Sequence, residues 1–195
     1  MSSETRTGYK FLTSEMTSKY NPSCKWVVGE WKKHEGPLEM CGAGFHYCRE
    51  PLDAFAYAYG GMLAVIEARG DEIQKGNKLD ASEMRIVKVV DAKLVAVRFA
   101  VACARRVLPI FEQHYPNDDR PRKAIEAAEA WLEQPSASRA SRAASEASWA
   151  ASEAASRAAR VKADERKWQN ETLCSIIAEA PALVRSGVSK KVKEI

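Results

Sequence analysis

The sequence changes character near residue 92, and this change restricts the chain to a mixed architecture. Residues 1–91 alternate short apolar runs with glycine-marked turns, the pattern of a small mixed α/β domain. From residue 92 onward the apolar residues recur every three or four positions, which is typical of helices. The sequence therefore predicts an α+β protein with two domains, a small α/β domain over residues 1–91 and an all-α domain over residues 92–195.

The charge distribution indicates which classes of partner to expect. Residues 1–97 carry 13 Lys and Arg against 13 Asp and Glu, so the net charge of +4 arises entirely in residues 98–195. The basic residues there alternate with Glu instead of forming a stripe, which argues against nucleic-acid binding. The mild positive excess is expected to favour an acidic partner.

Targeting signals and cysteine usage point to one compartment. The N-terminal segment MSSETRTGYKFL has no apolar core of signal-peptide length, and no apolar run has the length of a membrane span. The five cysteines are widely spaced and odd in number, which favours reduced thiols. The sequence thus predicts a cytoplasmic protein without a membrane segment.

Short elements are predicted along the first domain. Strands are expected over residues 8–12, 25–31, 62–68 and 84–90, with a loop between the last two and a turn at residues 21–23. A glycine-permitted turn leads into a short strand within 41-CGAGFHYC-48. Pro51 opens a predicted helix over residues 52–59.

The run GFHYCREPLDAFAY, followed by LAVIEARGD, resembles an uncharacterised domain found mainly in bacteriophage proteins. That domain pairs a GFH-x-C core with a downstream helix that ends in Tyr. The resemblance implies no activity, because none is assigned to the family. The matching positions are Gly44, Phe45, His46, Cys48, Pro51 and Tyr57.

The same region is more distantly similar to the middle of small ADP-ribosyltransferase-like folds. This resemblance implies an NAD pocket in which His46, Tyr47 and Glu67 are the catalytic candidates. The first strand carries Tyr9 and Lys10 where that family has Arg or His, which departs from the catalytic pattern. Other residues that the resemblance places at the pocket are Phe45, Tyr57, Tyr59 and, as an alternative acid, Glu83.

A zinc site is the other chemistry that this region suggests. Cys41, His46 and Cys48, together with Cys24 or His34, could supply four ligands. The spacing C-x4-H-x-C lacks the paired cysteines of a zinc knuckle, and alternate strand residues such as His46 and Cys48 can share a buried face for packing alone. The sequence therefore predicts no metal site.

The second domain is predicted to consist of helices. The first runs from residue 92 towards 114, and Pro109 is expected to kink or end its regular part. After a break at residues 115–119, Asp118 or Asp119 caps a second helix that has Pro121 in its first turn. A final helix is expected over residues 164–184.

Between these helices lies an alanine-rich tract, 136-SASRASRAASEASWAASEAASRAAR-160. Its alanines follow the a and d positions of a heptad, which predicts a helix with a narrow seam that another helix can approach closely. The seam could close within the chain or between chains, so a homodimer stays open. The predicted partner-binding residues are Arg139, Arg142, Trp149, Arg157 and Arg160.

Residues 102–134, ACARRVLPIFEQHYPNDDRPRKAIEAAEAWLEQ, resemble the helical immunity proteins of bacterial toxin loci. The resemblance implies an all-α module that neutralises a toxin by binding it. Within the motif, Glu112 with Arg120 or Arg122 is expected either to join two helices or to face a partner. The matching residues are Cys103, Leu108, Phe111, Glu112, Tyr115, Pro116, Asp119, Arg120, Pro121, Arg122, Ala124, Ile125 and Trp131.

Together these patterns favour a phage or mobile-element protein that binds and inhibits another protein by steric occlusion and uses no cofactor. Its expected target is a toxin or a bacterial defence complex such as a CRISPR effector, which would make it an anti-CRISPR protein. The alternative is an ADP-ribosyltransferase-like enzyme that modifies a host protein with NAD.

Overall fold

The computed structural model describes residues 4–134 and 163–183, which form two compact units. The first unit contains residues 4–91 with 181–183, and the second contains residues 92–134 with 163–180. A sheet-rich N-terminal part followed by helices confirms the predicted α+β class. The domain limits 1–91 and 92–195 remain a proposal. The alanine-rich heptad helix lies outside the described residues, and so do Arg139, Arg142, Trp149, Arg157 and Arg160.

An antiparallel sheet dominates the first unit. Strand β6 lies between β1 and β7, and both β4 and β5 pair with the other edge of β7. A bridge between Tyr9 and Cys48 joins β5 back to β1, so the sheet closes on itself. The strands of the described residues are β1 (Arg6–Leu12), β2 (Thr17–Ser18), β3 (Asn21–Lys25), β4 (Lys32–Lys33), β5 (Phe45–Tyr47), β6 (Met62–Lys75) and β7 (Lys78–Asp91). Strands β2 and β3 form a separate two-stranded sheet.

Strands β6 and β7 form one long hairpin of 14 residues on each side. Its turn is at residues 76–77, where Gly76 adopts a φ of 63°. The sequence predicted two shorter strands, 62–68 and 84–90, with a loop between them. The loop prediction was wrong because a bulge near Gly70 interrupts the alternation of side chains, and polar pairs such as Arg69–Glu83 continue the ladder.

The strand predicted over residues 25–31 was also wrong. The regular strand there is β3, Asn21–Lys25, which pairs with β2 and includes the residues predicted as a turn. Beyond it, Trp26 and Val28 are buried without regular pairing, because Val28 forms only a single bridge with Ile86 and Gly29 turns the chain at a φ of 90°. The apolar residues of this segment therefore indicate that it belongs to the core, but they do not indicate a strand.

The core of the first unit lies between the sheet and its covering segments. Buried side chains of β6 and β7 such as Ile66, Met84 and Ile86 pack against Trp26. A short helix, α1 (Pro51–Phe55), covers β1 through an edge-to-face contact of Phe55 with Phe11, whose ring centroids are 5.2 Å apart. The predicted proline-opened helix is confirmed, although it ends at Phe55.

The second unit contains three described helices, α2 (Ala92–His114), α3 (Arg120–Glu133) and α4 (Ala163–Glu179). Helix α2 continues through Pro109 to His114, so the proline does not end it. Pro121 lies in the first turn of α3, as predicted. In the part of the chain that the structure describes, no helix has both the length and the apolar character needed to cross a bilayer.

Candidate functional site

A cavity of about 830 Å³ lies in the first unit, where β1, β5 and the start of β7 face the segment after α1. Its lining includes five of the chain's six tyrosines and three lysines, and no Asp or Glu of the described residues belongs to it. The volume is within the range typical of small-molecule sites. The lining tyrosines and lysines are Tyr9, Tyr20, Tyr47, Tyr57, Tyr59, Lys10, Lys19 and Lys78.

His46 occupies the centre of β5, directly opposite Asp80 of β7, and lines the cavity. Its Nε2 atom accepts a hydrogen bond of 2.7 Å from the backbone N–H of Cys41 and lies 3.6 Å from Asp80 Oδ2. Burial, with smaller contributions from Lys10 and Lys78, lowers the pKa of His46 to about 4. The ring is therefore neutral at pH 7, and because Nε2 accepts, its proton is on Nδ1.

Lys10 brings a half-buried ammonium group to the cavity from β1. The group donates one hydrogen bond, 2.8 Å long, to the backbone oxygen of His46. Burial lowers the pKa of Lys10 to about 8, so most molecules still carry the charge at pH 7. No carboxylate of the described residues lies within 4 Å of it, which leaves two of its three donors for another acceptor.

The other two lysines of the cavity are held by aromatic rings. Lys78 Nζ lies 4.5 Å from the centroid of the Tyr57 ring and 3.8 Å from Cys41 Sγ. Lys19 Nζ lies 5.2 Å from the Tyr20 ring and 5.5 Å from the Tyr59 ring. Such cation–π contacts orient an ammonium group without neutralising it, so both lysines keep their charge available.

Asp80 is completely buried beneath His46, and neither of its carboxyl oxygens has a hydrogen-bond partner in the described part of the chain. Gly44, at a φ of 112°, allows this close packing, since a Cβ there would lie 2.5 Å from Asp80 Oδ1. Burial raises the pKa of Asp80 to about 6, although Lys10 and His34 oppose the shift. The group thus titrates near neutral pH.

The structure does not bring together the three residues that the enzyme hypothesis needs. His46 and Tyr47 line the cavity, but Glu67 is absent from its lining and forms a 2.6 Å hydrogen bond with Arg85 Nε. The hydroxyl of Tyr47 donates a hydrogen bond to Glu72, so its proton is not available to a ligand in the cavity. The alternative acid, Glu83, pairs with Arg69. The ADP-ribosyltransferase-like set therefore remains a prediction.

The cysteines near His46 are free thiols. Burial raises the pKa of Cys48 to about 12, so it stays protonated at neutral pH and is a poor nucleophile or metal ligand. The Nε2 atom of His46 is already occupied by the Cys41 backbone. Over residues 4–134 and 163–183, no three His, Cys, Asp or Glu side chains are grouped as metal ligands would be.

Ion pairs join the first two helices of the second unit. Arg122 binds Glu112 through two hydrogen bonds of 2.9 and 2.8 Å, which confirms the inter-helix ion pair, and Arg105 binds Glu129 in the same way. The other candidate, Arg120, instead binds Asp118.

Asp118 also has the role that the sequence left open between two capping residues. Its Oδ1 accepts the backbone N–H of Arg120 at 3.2 Å. Asp119 occupies the N-cap position of α3 but makes no side-chain capping bond. The acidic pair thus fixes the α2–α3 connection and the start of α3.

An exposed apolar patch occupies the C-terminal half of α2 and the residue after it. Val107, Ile110 and Tyr115 are 55%, 61% and 60% exposed, and we name them the α2 patch. Val107 and Ile110 are three positions apart, so they share a face of the helix. The ring of Tyr115 is held in place by Phe111, with ring centroids 5.0 Å apart. The three-or-four spacing of apolar residues predicts a buried helix face and does not identify this patch, because Val107 and Ile110 are exposed apolar residues outside that face.

Two family models match this chain, in adjoining regions. Residues 6–98 match the domain of unknown function DUF7666, and residues 90–165 match a family described as "Imm-5 like putative immunity protein". The two-part resemblance expected from the sequence is therefore confirmed at this level. Comparisons with curated proteins and with solved structures gave no match.

Proposed function

We propose that this chain is an immunity-type inhibitor, which binds another protein through its second unit and blocks that protein by steric occlusion. The observation that carries the proposal is the match of residues 90–165 to an immunity-protein family. The target that this family match favours is a bacterial toxin. A phage-encoded inhibitor of a defence complex, such as an anti-CRISPR protein, would act by the same steric mechanism on a different target.

The α2 patch supplies a contact surface of the right kind. Exposed apolar and aromatic side chains on a helix, surrounded by charged residues, are typical of protein–protein interfaces. The basic residues Arg105 of α2 and Arg122 of α3 are committed to ion pairs with Glu129 and Glu112, which join the two helices. The patch is thus presented on α2, which these ion pairs hold against α3, and a preformed surface lowers the entropy cost of binding.

We propose that the alanine-rich tract supplies further contacts with the partner. We expect Trp149 to be an aromatic anchor, with Arg139, Arg142, Arg157 and Arg160 as charged contacts. Mild positive charge in this half of the chain would speed encounter with an acidic partner.

The proposal is tested by purifying a partner and then weakening its binding at the α2 patch. The tagged full chain is used to capture proteins from a bacterial lysate at moderate and high salt, and the captured protein is purified and rebound. We expect a one-to-one complex in which the target's own activity is inhibited. The variant Ile110→Asp should weaken this complex about tenfold or more, because a charge would be desolvated at the apolar patch.

A matched variant controls for the introduced charge. Ala127→Asp places the same carboxylate at an exposed position of α3, and we expect it to bind like the original chain. Trp149→Ala should abolish binding while the thermal unfolding transition is unchanged. Inhibition that survives both Ile110→Asp and Trp149→Ala would contradict the proposed interface, and a captured protein whose activity is unaffected would contradict inhibition itself.

A further inference from the structure

We propose that the cavity of the first unit binds a small organic phosphate that carries a flat ring, the chemistry of a nucleotide. This activity is separate from the proposed inhibition, because the described residues that line the cavity belong to the first unit, whereas the proposed interface lies in the second. Three features of the cavity support it: its charge, its aromatic lining and its spare hydrogen-bond donors.

The charge of the cavity calls for an anion of more than one negative charge. Lys10, Lys19 and Lys78 line it, no acidic side chain does, and no carboxylate of the described residues lies within 4 Å of these ammonium groups. Lys78 is close enough to Lys10 to contribute to the lowered pKa of Lys10. A phosphate dianion would offset two of these charges, whereas a single carboxylate would offset only one.

The aromatic lining calls for a flat ring. Tyr57 and Tyr59 bracket the cavity on the segment after α1, and each carries a lysine over its ring. A tyrosine ring offers a large apolar face to a heteroaromatic base at little cost in conformational entropy. Phosphate and base would thus be recognised by neighbouring residues of one cavity.

Spare donors complete the match to a phosphate. Lys10 has two N–H groups without a partner, and the Nδ1–H of neutral His46 is a further candidate donor. The single buried acid nearby, Asp80, is separated from the cavity by His46 and Gly44 and does not line it. An oxyanion therefore meets donors and positive charge without facing a carboxylate.

The test is calorimetric titration of the full chain at pH 7 and low salt with AMP and ATP. The comparison ligands are adenosine, ribose 5-phosphate and inorganic phosphate. We expect saturable one-to-one binding of AMP and ATP, with adenosine and ribose 5-phosphate each at least about tenfold weaker than AMP, since each lacks half of the recognition. Inorganic phosphate alone should be weaker still.

Two lysines of the same hairpin provide the matched pair of variants. Lys78→Gln should weaken AMP binding about tenfold or more, because it removes a charge-assisted contact. Lys75→Gln should leave the affinity within about twofold, since Lys75 is the cross-strand partner of Lys78 but is exposed and does not line the cavity. Both variants retain the hairpin turn, and their thermal unfolding transitions verify that they fold.

Proton linkage gives an independent readout. A bound phosphate should favour the charged form of Lys10, so binding at pH 8 should take up part of a proton, measured by repeating the titration in buffers of different ionisation enthalpy. The inference is overturned if AMP and ATP do not bind at millimolar concentration, if adenosine binds as tightly as AMP, or if Lys78→Gln binds like the original chain.

Discussion

Burial in the folded protein changes the protonation of Asp80. Its carboxyl group is fully buried and lacks hydrogen bonds, and burial raises its pKa from the ordinary 3.8 to about 6. The folded state therefore binds this proton more tightly than the unfolded state, and the contribution of Asp80 to stability falls as the pH rises from about 4 to 6. His46 has the opposite effect over nearly the same range, since its lowered pKa removes stability as the pH falls from about 6.5 to 4.

We predict that Asp80→Asn stabilises the protein at pH 7. The substitution replaces a buried carboxylate with an uncharged amide of nearly the same shape. The expected gain in the free energy of unfolding is about 1–3 kcal/mol. At pH 4 the gain should disappear, because Asp80 is then protonated in the folded protein. Below pH 6.5 the variant should lose stability as the pH falls, since the effect of His46 is no longer opposed. Urea unfolding at several pH values measures these differences.

A nearby exposed acid provides the control for this prediction. Asp71→Asn makes the same chemical change at an exposed position of the bulge, and we expect less than about 0.5 kcal/mol of change at either pH. Equal or lower stability of Asp80→Asn at pH 7 would show that the carboxylate has a stabilising partner. The prediction that its buried charge destabilises the folded protein would then be wrong.

At the scale of elements, the sequence predicted the helices whose starts or ends are marked by a local signal, such as a proline or a polar break. Pro51 marked α1, Pro121 marked the start of α3, and the break at residues 115–119 separated α2 from α3. The long hairpin was missed because its distal half is polar and bulged at Gly70, so alternation is lost where cross-strand ion pairs continue the ladder.

The candidate cavity was predicted only in part, for a related reason. The motif around residues 44–48 pointed to His46 and Tyr47, which do line the cavity. In the sequence, Lys10 stands out only as a departure from a family pattern. No sequence pattern singles out Lys78 or Asp80. These residues meet because β5 pairs with β7 and bridges to β1, and such non-local pairing leaves no trace in local sequence patterns.

The closure between β1 and β5 gives a prediction about these elements. Gly8 of β1 lies against β5, where an added Cβ would be 2.4 Å from Tyr47 Cδ2 and 2.7 Å from the backbone oxygen of Cys48. Gly8→Ala should therefore lower the free energy of unfolding by about 1–3 kcal/mol, because the ring or the strand must move. Urea unfolding of the variant measures this loss.

Gly61→Ala is the control for the closure, since nothing lies within 4 Å of a Cβ built at Gly61. We expect a change there of less than about 1 kcal/mol in either direction. If Gly8→Ala and Gly61→Ala had the same small effect, the contact between β1 and β5 would not be the tight closure that the distances indicate.

At the scale of the whole molecule, the two candidate sites differ in chemistry. The cavity is lined by residues of β1, β5, β7, the β2–β3 segment and the segment after α1, and three of these residues are lysines. The α2 patch is built from one helix of the second unit and is apolar. Family matches to two adjoining regions agree with such an assembly of separate modules.

We therefore predict that the two binding activities can be removed one at a time. Ile110→Asp should keep its affinity for AMP within about twofold while it loses the protein partner, and Lys78→Gln should do the reverse, because neither substitution touches the other site. Calorimetric titration of each variant with AMP and with the purified partner measures both affinities. If Lys78→Gln also weakened the partner complex by more than about fivefold, or AMP changed the affinity of the original chain for its partner, the two sites would be coupled and the ligand of the cavity would regulate inhibition.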